Sequence, residues 1–357
     1  MSYVLPTFKK QDVNRAGKIL ATAKPDTDGW LWAYEVLANW RACHGYPINT
    51  FQSLLRKRLK SIDKNAIVAQ RLKRAPSVIY KLQRFKTMGL SQMQDIGGLR
   101  AVVSSIGQVR KLDALYRDSN FKHILVSSKN YIDKPKEDGY RSIHLVYRYF
   151  NEHAPEYNDL LLEIQLRTKL QHAWATAVET MSTFLGQALK SGQGARQWRE
   201  FFELASAAFT FVEKTAPVPG YELLSREETF SRLANTELDL HVLAKLQGFS
   251  IAANHITAQK GAGSYHLVVL HSETRKVFIQ PFPKTQLEQA NIEYAKIEER
   301  AQRGEQVEAV LVSAGPVDAL RKAYPNYFLD THQFVSQVNK IIGLSRRLEM
   351  QTDLTSI

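Results

Sequence analysis

The clearest pattern in the chain is an alternation of apolar and polar residues over residues 160–167, which read Leu-Leu-Leu-Glu-Ile-Gln-Leu-Arg. Because successive side chains of a β-strand point to opposite faces of the sheet, the apolar residues at even positions share one face. Glu163, Gln165 and Arg167 share the other face with Leu161. Three adjoining polar side chains on one face of an otherwise apolar strand indicate a site rather than contact with solvent.

Apolar residues recur at helical or strand spacing along most of the remaining chain. This pattern predicts helices over residues 8–22, 28–45, 50–62, 107–118, 195–214, 226–247 and 286–303, a short basic helix that starts at Pro76 and Ser77, and a helix from Thr168 to about residue 188. It predicts strands over residues 101–103, 121–127, 160–167, 264–271, 276–281 and 307–312, and a further strand after the loop at 131–144. Two short helices are expected to close the chain.

The best candidate for a linker is the turn-forming stretch Ala216-Pro217-Val218-Pro219-Gly220. It divides the 357 residues into 1–215 and 216–357. A chain of this length can hold one large domain or two smaller ones, and the linker favours two.

Positive charge is concentrated in the first part of the chain. The sequence holds 48 Lys and Arg against 35 Asp and Glu, a formal net charge of +13. Residues 1–200 hold 32 of these basic residues against 17 of the acidic ones, whereas residues 201–357 hold 16 against 18. A basic surface of this kind attracts nucleotides or nucleic acid and does not distinguish between them.

The composition excludes several classes of protein. The single cysteine, Cys43, rules out an intramolecular disulfide framework and a multi-cysteine zinc site, and we interpret it as a buried apolar residue. The first residues lack the apolar core of a signal peptide, and no run approaches the roughly 18 apolar residues of a membrane span. We therefore expect a cytoplasmic protein that has no membrane partner.

A cluster of cations surrounds the start of the predicted basic helix. Pro76 suits the first turn of a helix, and the hydroxyl of Ser77 can accept hydrogen bonds from backbone N–H groups there. Lys81 follows Ser77 by four residues, so both side chains share one helix face. Arg71 and Lys73 come just before the helix, where the positive end of its dipole adds to their charge. This arrangement predicts a site for a polyphosphate.

A lone carboxylate follows that helix in the segment Asp95-Ile96-Gly97-Gly98. A carboxylate on a turn that backbone can approach closely is a suitable oxygen ligand for Mg²⁺. Arg100 adds a further cation that can neutralise phosphate. The alternative interpretation of the stretch from Arg71 to Arg100 is a solvated basic helix followed by a turn.

A second polar segment carries Lys134, Lys136, Gly139, Tyr140 and Arg141. Its cations can meet backbone phosphates while a base stacks on Tyr140, so the loop suits a second, nucleotide-like substrate. Phosphoryl-type transfer needs positioned cations, a metal held by carboxylates and a base for the attacking hydroxyl. Asp95 can hold magnesium, and Glu163 can assist the metal or accept the hydroxyl proton.

Four ordered segments carry a resemblance to a known family. They are R-L-K-R-A-P-S-V-I-Y-K from residue 71, D-I-G-G-L-R from residue 95, P-K-E-D-G-Y-R-S-I-H from residue 135 and E-I-Q-L-R-T-K-L-Q-H-A-W-A from residue 163. This part of the chain resembles the synthetase domain of the RelA/SpoT family, whose members move the β,γ-pyrophosphate of ATP to a 3′-hydroxyl. The resemblance implies an α/β (α+β) fold with a mixed sheet flanked by helices, with ATP as donor and Mg²⁺ as cofactor.

The resemblance also implies a role for each candidate residue. By position, it implies that ATP is bound by Arg71, Lys73, Ser77 and Lys81. We add Arg100 to this group as a further cation that can neutralise phosphate. Asp95 is implied as the magnesium ligand, Tyr140 as the residue on which the acceptor stacks, and Glu163 as the catalytic glutamate that can share the metal. The acceptor-binding group further includes Lys134, Lys136, Arg141, His144, Gln165 and Arg167.

The layout departs from ordinary alarmone synthetases because about 140 residues follow the catalytic region. It resembles the CapRel-type fused toxin–antitoxin small synthetases, for which the implied reaction is pyrophosphorylation of the 3′ CCA end of tRNA, which blocks translation. The resemblance implies a pyrophosphotransferase domain over residues 1–215 and a smaller α/β regulatory domain of pseudo-zinc-finger type over residues 216–357, with a phage capsid protein as activator. The resemblance implies an autoinhibitory Y-x-x-Y motif that covers the ATP site, and Tyr324 and Tyr327 match it. The alternative is that both tyrosines are ordinary core residues.

Three functions stay open from the sequence. The first is a self-restrained transferase acting on tRNA in phage defence, and the second is a (p)ppGpp synthetase that uses GTP or GDP as acceptor. The third is a binding module whose catalytic domain has decayed, against which the intact Asp95, Glu163 and Tyr140 argue. We favour the first, as a monomer.

Overall fold

The computed structural model of the chain describes residues 3–25, 27–117, 121–185, 195–258, 263–271, 274, 276–303, 305, 307–314, 317 and 327–355. The chain divides into two compact units. The first comprises Met1–Ile132 and Arg141–Lys169, and the second comprises Asp133–Tyr140 and Leu170–Ile357.

The first unit is built on a five-stranded sheet of order β1-β2-β5-β4-β3. Its strands are β1 (Ile67–Leu72), β2 (Gly97–Val103), β3 (Ile124–Asn130), β4 (Ile143–Arg148) and β5 (Leu161–Thr168). β2 and β5 run parallel, and the other neighbouring pairs run antiparallel. The predicted mixed sheet is therefore confirmed.

Five helices belong to this unit: α1 (Lys10–Thr22), α2 (Asp28–Cys43), α3 (Gly45–Leu59), α4 (Ala75–Arg84) and α5 (Ile106–Arg117). Helix α3 packs closely on the sheet, because a Cβ added at Gly97 on β2 would lie only 3.1 Å from the side chain of Ile48 on α3. It would also lie 2.7 Å from the side chain of Leu162 on the neighbouring strand β5. The buried faces of these helices and strands form one apolar core. Each fully buried large side chain in it contributes roughly 1.5–3 kcal/mol.

The second unit contains α6 (Lys169–Leu185, whose first residue belongs to the first unit), α7 (Ala195–Glu213), α8 (Arg226–Leu240), α9 (Val242–Ala258), α10 (Leu287–Gln302) and α11 (Tyr327–Thr355), with β6 (Tyr265–His271), β7 (Lys276–Phe282) and β8 (Val307–Ser313). The three strands form an antiparallel sheet of order β7-β6-β8. Phe334 on α11 packs against Phe201, Phe202 and Phe209 on α7. These aromatic contacts join the first and last helices of the region after residue 194.

Several element predictions were wrong. β1 covers residues that the sequence pattern left as a cationic approach to α4. The single helix predicted over residues 226–247 is two helices, because His241 adopts a left-handed conformation with φ of 50° and ends α8. The last helix that the structure describes, α11, has 29 residues and is not one of the short helices expected at the end of the chain.

The boundary predicted after residue 215 falls inside the second unit, where α7 and α8 pack together on either side of it. The assignment of a catalytic domain to residues 1–215 and a regulatory domain to residues 216–357 stays a prediction. No helix in the described part of the chain is both long and apolar enough to cross a membrane.

Cys43 is fully buried, and burial raises the pKa of its thiol to about 11. A thiolate is therefore strongly disfavoured at this position, as expected for a packing residue.

Candidate active site

One face of the first unit's sheet gathers polar side chains from four strands. Arg71 on β1 pairs with Gly98 on β2, and Gly98 pairs in turn with Glu163 on β5. Directly paired residues of neighbouring strands point to the same face of a sheet. Arg100 and His144 flank Gln165 in the next row of the same face. The register thus brings together predicted residues that lie almost a hundred positions apart.

Glu163 is held by hydrogen bonds on both of its carboxylate oxygens. Nδ1 of His144 lies 2.8 Å from Oε1, and Nε2 of Gln165 donates to Oε2 at 2.8 Å. Nη2 of Arg167 donates to Oε1 of Gln165 at 2.9 Å, so the amide is fixed in turn. The predicted polar face of β5 is a connected row of side chains that orients Glu163.

The pKa of Glu163 lies below its ordinary value. Burial alone would raise this pKa, but the hydrogen bonds from His144 and Gln165 and the interaction with the imidazole outweigh it. The negative charge of Asp95 acts in the opposite direction and raises the pKa of Glu163. The two carboxylates are therefore close enough to interact, and Glu163 is ionised at neutral pH.

Asp95 lies just before β2 and forms two ion pairs. Nζ of Lys73 donates to Oδ2 at 2.8 Å, and Nζ of Lys81 donates to Oδ1 at 2.9 Å. Burial would raise the pKa of Asp95, but the hydrogen bonds and charges of the two ammonium groups hold it below its ordinary value. The predicted metal ligand and two predicted phosphate ligands thus form one cluster.

The backbone of Lys73 is fixed on both sides. Its N–H donates to the carbonyl of Ile96 at 2.8 Å, and its carbonyl accepts a hydrogen bond from Nε of Arg41 at 2.7 Å. These two hydrogen bonds hold the backbone of Lys73 in the position from which its side chain reaches Asp95.

An open cavity of about 540 Å³ lies beside this cluster, along α4. Its lining residues are Lys73, Pro76, Ser77, Tyr80, Lys81, Arg84, Phe85 and Asp95. Sequence reasoning missed Tyr80, whose side chain is 66% exposed, and the Arg84 guanidinium, which lies 5.4 Å from the ring of Phe85. Tyr80 and Arg84 follow Ser77 by three and seven residues, so helical spacing was the signal that could have found them.

The two carboxylates provide hard oxygen donors of the kind that Mg²⁺ takes. Magnesium is usually bound through one or two carboxylates together with substrate phosphates and water. Among the described residues, no group of three or more His, Cys, Asp or Glu side chains could hold a metal ion by itself. Asp95 and Glu163 have the oxygen donors that suit a magnesium ion bound also by nucleotide oxygens, and their role as its ligands stays a prediction.

The loop Asp133–Tyr140 belongs to the second unit. The ammonium group of Lys136 lies 4.9 Å from the centre of the Tyr140 ring, and Trp174 on α6 meets the same ring edge-on at 6.4 Å. Lys134 is exposed. The role of this loop in acceptor binding stays a prediction, and Lys136 must move if a base is to use the ring face that it covers.

Gly139 ties that loop to α7. Its φ is 84°, and its carbonyl accepts a hydrogen bond from Oγ of Ser206 at 2.6 Å. A Cβ at this position would lie 2.8 Å from the Cβ of Ser206. Both the conformation and the space therefore require glycine.

Replacing Gly139 with alanine is expected to displace the loop that carries Tyr140. The strained backbone alone costs about 1–2 kcal/mol, and the contact with Ser206 adds to it. We expect a higher KM for the acceptor with little change in the affinity for ATP, measured by steady-state kinetics. Gly220→Ala is the matched control, because Gly220 also has positive φ, at 85°, but no heavy atom lies within 4 Å of its Cβ position. Equal effects of the two variants on the acceptor KM would contradict this prediction.

Two predicted acceptor residues are deeply buried. Arg141 is 2% exposed and Arg167 is 3% exposed. Nε of Arg167 donates to Oγ of Ser142 at 3.4 Å. In this conformation the Arg167 guanidinium is held by residues of the sheet. Contact of either residue with an acceptor stays a prediction. Tyr324 and the side chain of Tyr327 lie outside what the structure describes.

Comparison with known proteins finds similarity over part of the chain. Residues 70–184 match the family model of the region found in RelA / SpoT proteins. The chain is 33% identical over 119 residues to GTP pyrophosphokinase YjbM of Bacillus subtilis (strain 168), a match that covers 32% of this chain and 55% of that protein. The chain thus spans about half the length of this relative.

Solved structures of similar proteins were found as well. One is small alarmone synthetase 1 from Bacillus subtilis bound to its product pppGpp, which is 25% identical, with 47% of this chain and 90% of that chain covered and a TM-score of 0.40. Another is a GTP pyrophosphokinase family protein from Streptococcus pneumoniae, which is 22% identical, with 53% and 91% covered and a TM-score of 0.42. Residues 70–184, about a third of the chain, are thus similar to the region found in RelA / SpoT proteins.

Proposed function

We propose that the RelA/SpoT region of this chain is an active pyrophosphotransferase, which moves the β,γ-pyrophosphate of ATP to the 3′-hydroxyl of an acceptor. The observation that carries this proposal is the cluster of Lys73, Lys81 and Asp95 beside the ionised Glu163. In a domain that had lost its activity, we would not expect two carboxylates and the donors that position them to occur together.

Each side chain of the cluster has a distinct part in the reaction. Lys73, Lys81 and Arg71 neutralise the phosphates of ATP, and Ser77 donates a hydrogen bond to them near the start of α4. Glu163 accepts the proton of the attacking 3′-hydroxyl, whose oxygen forms a bond to the β-phosphorus. The bond between the β-phosphorus and the oxygen that bridges to the α-phosphate breaks, and AMP leaves. Magnesium, held by Asp95 and Glu163, would supply neutralisation of the charge on the transferred group.

A guanosine nucleotide is the acceptor that the relatives favour. YjbM is a GTP pyrophosphokinase, and its identity of 33% extends over 119 residues. This comparison moves GTP or GDP ahead of the tRNA end that we favoured from the sequence alone. The product would then be a guanosine penta- or tetraphosphate.

The 3′ end of tRNA is the second candidate, and the distribution of charge favours it. Residues 1–200 hold 32 Lys and Arg against 17 Asp and Glu. Neutralising several RNA phosphates releases counterions and adds affinity that does not depend on sequence. A cytoplasmic location and a monomeric state remain predictions under either candidate.

One experiment tests the activity and identifies the acceptor. ATP labelled at its terminal phosphates is supplied together with bulk tRNA and GDP, and each acceptor is then examined for label. We expect label on GDP. Label on tRNA alone would establish the second candidate. Label on neither acceptor, with the wild type and also with Tyr324→Ala, in which the proposed restraint is released, would contradict a pyrophosphotransferase.

Tyr80 is expected to be a platform for the adenine of ATP. Its exposed ring lies on the same cavity as Lys73 and Lys81. Loss of a stacked base costs about 1–3 kcal/mol, so Tyr80→Ala should raise the KM for ATP about 5- to 150-fold and leave kcat within about threefold. Tyr34→Ala, which removes another exposed tyrosine of the first unit, is the control. A large fall in kcat at unchanged KM would contradict a role in binding the base.

The region after the linker is proposed to restrain the enzyme, with a phage protein that binds this region as the trigger. Removing residues 217–357 would not test this cleanly, because Phe334 packs against Phe201 and Phe209 on α7. Truncation would expose that aromatic core and destabilise the second unit.

A point substitution avoids this difficulty. Tyr324→Ala is expected to arrest growth of cells that express the full chain, because the proposed cover of the ATP site is lost. Glu163→Gln in the same chain should restore growth, since the arrest depends on transfer. Normal growth with Tyr324→Ala at wild-type protein level would contradict autoinhibition by this motif.

A further inference from the structure

A second cavity, of about 760 Å³, lies within the second unit and shares no residue with the candidate active site. Its walls are the end of α8, the first turns of α9, the ends of β6 and β7 that face each other across the hairpin, and one face of α11. Nothing in the proposed reaction uses these residues. A volume between about 300 and 1,000 Å³ is typical of pockets for small molecules.

The ionisable side chains that line this cavity are mostly basic. They are His241, Lys245, His271, Lys276 and Arg346, and Glu237 is the one acidic residue among the described lining residues. This excess is local, because residues 201–357 as a whole hold 16 Lys and Arg against 18 Asp and Glu. Basic residues therefore outnumber acidic ones in the cavity, whereas acidic residues slightly outnumber basic ones in the sequence region that forms it.

Glu237 offsets little of this positive charge. Its carboxylate accepts hydrogen bonds from the backbone N–H of Leu243 at 3.1 and 3.3 Å, at the start of α9. Burial raises the pKa of Glu237 to about 7, so the group is partly neutral at physiological pH. Lys245 stays in place, because its ammonium group donates to the carbonyl of Leu240 at 2.5 Å and lies 4.6 Å from the Trp198 ring.

The same cavity exposes apolar surface. Leu238 is 56% exposed and Ile251 is 50% exposed, and both line it. Gly343 on α11 contributes no side chain, and a Cβ at this position would have no heavy atom within 4 Å. An apolar group of a ligand can therefore cover Leu238 and Ile251 without displacing protein atoms.

The basic surface continues into a neighbouring cavity of about 500 Å³. The two cavities share Gln247, Asn339 and Gly343, and the second adds Lys340 and Arg347. Cations thus follow two successive turns of α11 along the cavity walls. A ligand that carries more than one negative charge suits this arrangement better than a neutral one.

We propose that this cavity binds a small organic phosphate, with an apolar or aromatic part against Leu238 and Ile251 and a phosphate group against Lys276 and Arg346. Arginine and lysine side chains are the usual partners of phosphate oxygens. The concave shape favours a small molecule over a macromolecule.

The test uses the full chain and 1-naphthyl phosphate, with 1-naphthol and inorganic phosphate as probes of its two halves. Calorimetric titration is expected to show at least about tenfold tighter binding of 1-naphthyl phosphate than of either half. The double variant Lys276→Glu/Arg346→Glu should weaken binding at least tenfold. Lys284→Glu, which reverses the charge of a lysine in the same unit that does not line either cavity, should change it less than twofold.

Further variants separate this cavity from the candidate active site. Gly343→Phe should abolish binding by filling the cavity, with thermal unfolding as the check that the chain still folds. Lys81→Ala should bind the probe as the wild type does. The proposal is overturned if the wild type does not bind the probe, if either half binds as tightly as the whole, or if Lys81→Ala loses binding while Lys276→Glu/Arg346→Glu keeps it.

Discussion

Glu163→Gln is expected to lower kcat for pyrophosphate transfer by about 10²–10⁴-fold, the usual contribution of a positioned general base. The amide has nearly the same shape as the carboxylate but cannot accept the hydroxyl proton. It also turns an N–H₂ group toward one of the two donors, His144 or Gln165, which costs about 1 kcal/mol of stability. The measurement is the steady-state transfer of label from ATP to GDP, with the KM for ATP expected to stay within about threefold.

The control for this variant is Glu156→Gln, which removes an exposed acid of the same unit. It should leave kcat unchanged. A kcat for Glu163→Gln close to that of the wild type would show that another group takes the proton, and the mechanism proposed for this site would then be wrong.

The pH dependence of the same reaction reports on the environment of Glu163. Its pKa lies below the ordinary value of 4.5, so activity and the stabilisation from its hydrogen bonds persist as the pH falls through 4.5 and are lost only below it. His144→Ala removes one of the donors that lower this pKa. The acid limb of the kcat profile should therefore move to higher pH in that variant, which a purely structural role of His144 would not cause.

Much of the first unit could be predicted from local patterns. The alternation over residues 160–167 identified β5 and the face that carries Glu163, because a period of two is unambiguous when the apolar positions are all large. The basic helix after Pro76 could likewise be predicted from its local sequence alone. β1 was missed since its residues Ile67–Leu72 are only half-buried or exposed and alternate poorly, so that only pairing with β2 defines the strand.

The contacts inside the candidate site could not be predicted from the sequence. Lys73 and Lys81 were assigned to phosphates and Asp95 to a metal, and nothing in the pattern indicated that these groups pair with each other. Opposite charges that share one concave site neutralise one another until a ligand supplies better partners. Such pairing depends on tertiary structure, because the residues are 22 and 14 positions apart.

The anchoring of the loop at residues 133–140 could not be predicted for the same reason. The sequence shows Gly139 only as one residue of a polar loop, whereas the structure ties its backbone to Ser206, 67 residues later in the chain. Its positive φ and the close approach of α7 give the glycine a fixed conformation. A glycine in a loop therefore indicates a conformational requirement as readily as it indicates mobility.

Asp95→Asn is expected to have opposite effects on catalysis and on the binding of metal-free ATP. Loss of a magnesium ligand should lower kcat/KM for transfer by about 10²–10³-fold. At the same time Lys73 and Lys81 lose the carboxylate that competes with phosphate for them, and the site gains one unit of positive charge. The affinity for ATP in the presence of a chelator should then rise about three- to tenfold, because partly buried ion pairs of this kind are worth about 1 kcal/mol.

Calorimetric titration of an ATP analogue, with the chelator and then with Mg²⁺, measures both effects on one variant. Asp113→Asn is the matched control, because Asp113 pairs with Arg117 at 2.9 Å on α5, outside the candidate site. It should change neither affinity. Weaker binding of the metal-free analogue to Asp95→Asn would show that Asp95 positions the two lysines for phosphate rather than competing with it. Competition for the two lysines and positioning of the two lysines predict changes of opposite sign in the affinity for the metal-free analogue. This single titration therefore decides which role the carboxylate has before nucleotide arrives.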